Sequence, residues 1–411
     1  MRNIFLAGVA FAVMGFSSQD MFVLEGTAYS PPLYYWDFNA NQSLPSWITF
    51  TRSAATATYF DATGTLQTAG ANVARFDHDI GTGVAEGLLL EETRTNVVLN
   101  NRDLTNVTWS ATNITPLKDR TGIDGVASSA SSLTATSAGG TITATTTASN
   151  AARFQTAYVK CITCTGNIQM TQDNSTFTTL SASNCFATNL MGGAGTAPNT
   201  NGWVRCQIPV QTLTNPTVGF KIANNSDEIA VDFVQNENGS NATSPIAVAG
   251  AGVARNIDLA ATNGAVLTLL KTITWSAVAE VTLNNILGGR VISGTSRSSP
   301  LQGRNTTTCG ASLTPGVTIF ATYGDGAVAP GMVRMGISGS SSPQSRILVC
   351  NGGAMSQDAS AIFVGTSTNI WLGSDNGLDP SLNGWFSKIG IYTQSLSSLQ
   401  LQRKTAAAAP F

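Results

Sequence analysis

Few side chains in this chain are placed to do chemistry. Its densest acidic groups are Glu91-Glu92 and Asp77-His78-Asp79. Cutting a glycosidic bond takes two carboxylates that flank one linkage. Adjacent residues on a strand point to opposite faces, so Glu91 and Glu92 cannot flank the same bond. Pairing of either glutamate with Arg75 or Arg94 is the reading the charges favour, and Asp77–Asp79 reads as a polar turn. A Ser-His-Asp triad would have to use His78, the single histidine, and the chain has no Gly-x-Ser-x-Gly elbow. The pairs Gly288-Gly289 and Gly352-Gly353 open no helix followed by Lys-Ser/Thr, so they read as turns rather than phosphate loops. The expectation is a protein that is not an enzyme.

Metal and sulfur chemistry is equally sparse. Cys161-Ile-Thr-Cys164 has knuckle spacing, but a structural zinc site wants four Cys or His ligands and no second pair is near. The six cysteines allow fifteen pairings. Four lie in the middle third and two in the last, which makes Cys309–Cys350 the simplest bridge; buried free thiols stay open beside disulfides. The loop Ser374-Asp375-Asn376-Gly377-Leu378-Asp379-Pro380 offers hard oxygen ligands for Ca²⁺, against a plain turn. No other cofactor is expected. Sugar rings stack on exposed aromatics, and Trp109, Trp203, Tyr323, Trp371 and Trp385 are the candidates for carbohydrate contact. Core packing is the competing reading for each, because single Trp residues on alternating strands face inward.

The elements that would hold these groups are β-strands. At 411 residues there is room for two or three domains. Only 11% of residues are charged, against about 25% in a typical soluble domain. Thr-rich alternation and frequent Gly and Asn turns point to antiparallel sheets. The net charge of −2 comes with no basic block, which argues against nucleic-acid binding. The apolar run from Ile4 to Phe16 is shorter than the roughly 20 residues a membrane span needs. The spacing predicts an apolar N-terminal helix over 1–24, an extended adaptor over 25–100, one β-sandwich over 101–262, and a second over 263–411 that ends in a short helix capped by Ser395 or Ser397.

Specific wording supports this division. The segment Trp47-Ile48-Thr49-Phe50-Thr51-Arg52-Ser53, then Thr58-Tyr59-Phe60-Asp61, Gly64-Thr65-Leu66-Gln67-Thr68, Arg75-Phe76-Asp77 and Gly87-Leu88-Leu89-Leu90-Glu91-Glu92-Thr93-Arg94-Thr95-Asn96, runs in fixed order over about sixty residues. It resembles the segment that precedes the β-sandwiches of bacteriophage head-fibre and tail-fibre proteins. It departs at Ala74, where that family has Pro, and at His78, where it has Tyr. The stretches around Trp109, Ala242-Thr243-Ser244-Pro245-Ile246 and Val253-Ala254-Arg255-Asn256-Ile257-Asp258 resemble the start and end of the following phage domain, a jelly-roll of carbohydrate-binding-module type. Leu382-Asn383-Gly384-Trp385-Phe386-Ser387-Lys388-Ile389-Gly390-Ile391-Tyr392 is similar to the closing strand of the laminin-G/concanavalin-A fold. The chain lacks the Glu-x-Asp-x-x-Glu strand of glucanases with that fold.

The resemblance implies a structural component of a tailed-phage virion, assembled in the host cytoplasm as a homo-oligomer, most simply a trimer. Its partners would be capsid, portal or tail proteins, and host surface polysaccharide bound weakly by many copies. Ile4, Phe5, Leu6, Val9, Phe11, Val13 and Phe16 would form the anchor, without a membrane span. Two alternatives stand beside it: a purely architectural decoration protein without a ligand, and a secreted bacterial lectin suggested by the signal-like N-terminus.

Overall fold

The computed structural model describes residues 31–53, 57–186, 202–239, 241–272, 274–283, 290–294, 299–303, 308–314, 317–322, 331–341, 343–359, 367–374 and 382–406. The anchor residues Ile4, Phe5, Leu6, Val9, Phe11, Val13 and Phe16, with Tyr323, Asp375 and Asp379, lie outside the described residues. The fold is mainly β, with short helices at Phe38–Asn41, Gly264–Leu270 and Ser398–Thr405.

The middle of the chain forms one sandwich. Its six-stranded sheet runs in the order Cys185–Phe186, Val204–Leu213, Ala151–Thr163, Glu228–Asn238, Ala130–Ala135, Ile114–Arg120. Its five-stranded sheet runs Thr178–Thr179, Ile168–Thr171, Thr217–Ile222, Gly140–Thr145, Ser110–Thr112. Period-two alternation puts Leu133, Ala157, Val159 and Val231 from the first sheet against Ile142, Met170, Val218 and Phe220 from the second. Trp109, with Val98 and Leu104, is part of the same core.

A second sandwich is built from both flanks of the chain. Its eight-stranded sheet runs Ser356–Asp358, Gln344–Cys350, Gly331–Ser341, Trp275–Leu283, Gly384–Tyr392, Ala85–Leu90, Phe76–His78, with Tyr34–Asp37 also paired to Gly384–Tyr392. The seven-stranded sheet opposite it runs Ile48–Thr51, Leu259–Thr262, Ile370–Leu372, Arg290–Gly294, Ser299–Gly303, Thr308–Thr314, Val317–Thr322. The segment expected as an extended adaptor thus supplies strands 34–37, 48–51, 76–78 and 85–90 to these sheets. Its apolar positions Ile48, Phe50, Leu88 and Leu90 have no core of their own and join the one made by Ala277, Ile337, Leu372 and Phe386. Gly87 shows why glycine stands in the Gly-Leu-Leu-Leu motif: its φ is +117°, and a Cβ there would collide with the Phe386 carbonyl of the paired strand.

The C-terminal helix covers the outer face of the eight-stranded sheet. Ser397 and Gln400 make a reciprocal capping box at its start. Leu401 packs with Val278, Val349, Tyr392 and Leu396. Between the sandwiches lie the hairpin Ala57–Phe60/Leu66–Ala69 and the two-stranded ribbon of Arg94–Asn96 with Val253–Arg255. A small core joins that hairpin, through Phe60 and Leu66, to Tyr158, Trp203, Ala230 and Phe233 of the middle sandwich.

Candidate functional site

The residues singled out by the sequence motif meet at a buried junction. Arg52 follows strand 48–51, Arg75 precedes strand 76–78, Glu91 follows strand 85–90, and Asp258 precedes strand 259–262. These strand ends come from both sheets of the second sandwich, so their charges converge at its edge. Arg52 Nη1 donates to Asp258 Oδ1 at 2.9 Å, and Arg75 Nη2 pairs with Asp258 Oδ2. Arg75 Nη1 donates to Glu91 Oε2 at 2.7 Å and to the Thr58 carbonyl at 2.7 Å. Arg255 Nη1 lies 3.3 Å from Glu91 Oε2, and its Nη2 donates to the Glu92 carbonyl at 2.7 Å. Ser244 donates to Glu91 twice, from its backbone N–H and its hydroxyl, each at 2.6 Å. All five charged side chains are sealed from solvent.

Such charges hold only because each is paired and hydrogen-bonded. Burial works against ionised Glu91, but Arg255, Arg75 and Ser244 outweigh it and bring its pKa down to about 2. Burial likewise opposes the charge on Arg75, yet Asp258 and Glu91 lift its pKa above the usual arginine value. Arg255 is pushed below that value by burial and by Arg75 beside it. The arrangement is a lock between strands, with no open face toward a ligand. Glu92 turns outward to pair with Arg94 and to accept from Asn383 Nδ2.

Asp77 makes a second tie. It lies in strand 76–78 rather than in the expected polar turn, and it is buried with His78. Its carboxylate accepts from the Phe60 N–H at 2.6 Å and from Trp385 Nε1 at 2.9 Å. The motif aspartate therefore joins the hairpin to the closing strand of the second sandwich. Nearby Glu86 is raised well above the ordinary glutamate range by burial and by the carboxylates of Asp77 and Asp79.

This geometry corrects the aromatic candidates. Trp109, Trp203 and Trp385 are 6%, 2% and 1% exposed, so none presents a ring to a sugar. Each sits on the inward phase of its segment: Trp109 in the middle core, Trp203 against the hairpin, and Trp385 against Leu89. Trp371 is half-buried in the centre of the seven-stranded sheet, opposite Ala261 and Ser293. The structure does not bring the four Trp residues together. Cys309 and Cys350 are joined as a disulfide that ties the two sheets of the second sandwich, and both sit in its core.

A cavity in the middle sandwich was not anticipated. It measures about 290 Å³, opens to solvent, and is lined by Val159, Ile168, Leu180, Val204 and Ile229, with Asn167 and Ser181 as its polar side chains. Two further disulfides, Cys161–Cys164 and Cys185–Cys206, form part of its wall. Asp227 fixes the turn beside it, accepting from the Thr165 N–H at 3.0 Å and the Gly166 N–H at 2.8 Å. The knuckle-like Cys spacing is thus a bridge, and the described residues contain no group of three or more Cys, His, Asp or Glu placed to hold a metal. Long-range packing brings these linings together, and no local pattern announces it.

The sequence matches no protein-family model and no curated protein. Solved structures do show a likeness. The Ruminococcus gnavus IT-sialidase CBM40, solved alone and bound to α2,3-sialyllactose, is similar over 34% of this chain and 86% of its own, at 14% identity and a TM-score of 0.27. A leech intramolecular trans-sialidase complexed with 2,7-anhydro-Neu5Ac is similar over 36% of this chain and 25% of its own, at 13% identity and a TM-score of 0.27. Among the described residues, no helix is long and apolar enough to cross a membrane.

Proposed function

We propose that this protein is a structural component of a tailed-phage particle, displaying two rigidly joined β-sandwiches on a virion surface. One observation carries the reading. The residues that give the sequence its likeness to phage fibre proteins are those that assemble the sealed junction: Arg52, Arg75, Glu91, Ser244, Arg255 and Asp258. Such a lock suits a surface part that must keep its shape under load, and it leaves no ionised pair free for catalysis at that place. In this reading the protein is not an enzyme, its partners are copies of itself and neighbouring particle proteins, and a trimer is the simplest assembly. Antibody labelling of purified phage particles, imaged by electron microscopy, tests it. Label on a head or tail appendage is the expected result; label confined to host membranes or medium would overturn it.

Attachment to host glycans is a second reading, favoured by the solvent-open cavity of the middle sandwich. Its apolar floor and uncharged Asn167 and Ser181 suit a neutral sugar, with affinity built from many copies. The purified oligomer should be retained on host polysaccharide, and a Leu180→Trp variant that fills the cavity should not. Equal retention of both would remove this cavity from the reading.

A further inference from the structure

We propose that the Cys161–Cys164 pair is a thiol–disulfide exchange site that takes a small-molecule thiol, independently of where the protein is displayed. The three bridges differ sharply in access. Cys309 and Cys350 are fully buried, and Cys206 is 1% exposed beside half-buried Cys185. Cys161 alone among the six is exposed, and its partner Cys164 is half-buried on the wall of the open cavity. An attacking thiolate must reach a sulfur along the S–S axis, so access sets how fast each bridge exchanges.

The frame around the pair stands without the bond. Cys161 is held in the sheet by its pairing with Ile229. Cys164 is held by the turn that Asp227 anchors through Thr165 and Gly166, with Asn224 Nδ2 donating to Thr165 Oγ1 at 2.9 Å. Opening the bridge therefore releases little structure, and the two sulfurs stay close enough to close again. The other bridges differ. Cys309–Cys350 spans the two sheets of the second sandwich, and Cys185–Cys206 fastens a two-residue edge strand.

The chemistry balances with the thiol as reductant. A thiolate attacks Cys161 Sγ and forms a mixed disulfide, while the Cys161–Cys164 bond breaks and its electron pair leaves on Cys164 Sγ. Cys164 then either takes a proton from water or attacks Cys161 and expels the thiol. A second thiolate that attacks the ligand's sulfur instead completes a two-electron reduction, giving the dithiol and the oxidised ligand.

Glutathione is the probe. The full-length protein is equilibrated at neutral pH in buffers of graded reduced-to-oxidised glutathione, alkylated, and mapped by peptide mass. The Cys161–Cys164 pair should open at a reducing ratio at least tenfold lower than either other pair. In separate incubations with oxidised glutathione, Cys164→Ser should collect an adduct on Cys161 at least tenfold faster than Cys161→Ser collects one on Cys164. Opening of Cys185–Cys206 or Cys309–Cys350 at the same or a lower ratio would overturn the proposal. Equal adduct rates in the two variants would overturn the assignment of Cys161 as the attacked sulfur. The wild-type titration stands by itself if a serine variant does not fold.

Discussion

Replacing Glu91 by Gln tests the junction at its centre. The carboxylate accepts from Arg75 Nη1 at 2.7 Å and from Ser244 twice at 2.6 Å, with Arg255 3.3 Å away. Its pKa is lowered from 4.5 to about 2. A depressed acid stabilises the fold above its unfolded pKa and loses that contribution as pH falls toward the folded value. A gap of that size corresponds to about 3 kcal/mol at pH 7 and about 1 kcal/mol at pH 3. The side chain is fully buried, so solvent screening does not reduce the figure, and it agrees with the 3–5 kcal/mol typical of breaking a buried pair. Urea unfolding of wild type and Glu91→Gln at both pH values measures it. A loss of about 3 kcal/mol at pH 7 that shrinks to about 1 at pH 3 is the expected result. A loss that is the same at both pH values, or below about 1 kcal/mol at pH 7, would refute the reasoning, because ionisation of Glu91 would then not be what holds the junction.

Three other perturbations probe the rest of the structure. Burial and the carboxylates of Asp77 and Asp79 raise the Glu86 pKa, so its contribution is complete below the ordinary glutamate range and is lost as pH rises through the raised value. Glu86→Gln should therefore melt at a higher temperature than wild type at pH 8 and at the same temperature at pH 4, as read by thermal circular dichroism. Trp385→Phe keeps a six-membered ring but removes the indole N–H 2.9 Å from Asp77 together with part of the buried ring volume; denaturant titration should register a loss of at least about 2 kcal/mol. For the disulfides, chain-entropy loss at sequence separations of 3, 21 and 41 predicts stabilisations of about 2, 3 and 4 kcal/mol for Cys161–Cys164, Cys185–Cys206 and Cys309–Cys350. Paired Cys→Ser variants should rank in that order in urea midpoint.

Much of the architecture was legible because strands announce themselves by period two. Thr217–Ile222 alternates and turns Val218, Phe220 and Ile222 into one core, whereas in Gly384–Tyr392 a bulge shifts the phase, so that Phe386 rather than Trp385 joins Ile389 and Ile391 in the core and the strand is buried on both faces. Local chemistry narrowed the cap of the last helix to Ser395 or Ser397, and the structure gives Ser397. Partner choice was not. Nothing local to Ile48–Thr51 says that it pairs with Leu259–Thr262, more than two hundred residues away, yet that pairing turns the supposed adaptor into part of a sandwich. The pairing of a motif glutamate with Arg75 was readable from charge, whereas Asp258 and Ser244 needed the fold to bring them in. Trp109, Trp203 and Trp385 lie inward for a related reason. Alternation tells that Trp203 and Trp385 lie on one face of a segment but not what covers that face, and here it is the motif hairpin and Leu89. The cavity escaped because its wall is assembled from strands 151–163, 168–171, 204–213 and 228–238 together.

The central claim is that the junction, reaching the middle sandwich through Ser244, whose carbonyl accepts from Gln235 Nε2, holds the two sandwiches as one cooperative body. Differential scanning calorimetry of the full chain at pH 7 tests this most directly, with Glu91→Gln run beside wild type. One transition whose calorimetric and van't Hoff enthalpies agree for wild type, splitting in two for the variant, is the predicted result. Two separate transitions already in wild type, with only one of them moved by Glu91→Gln, would contradict it.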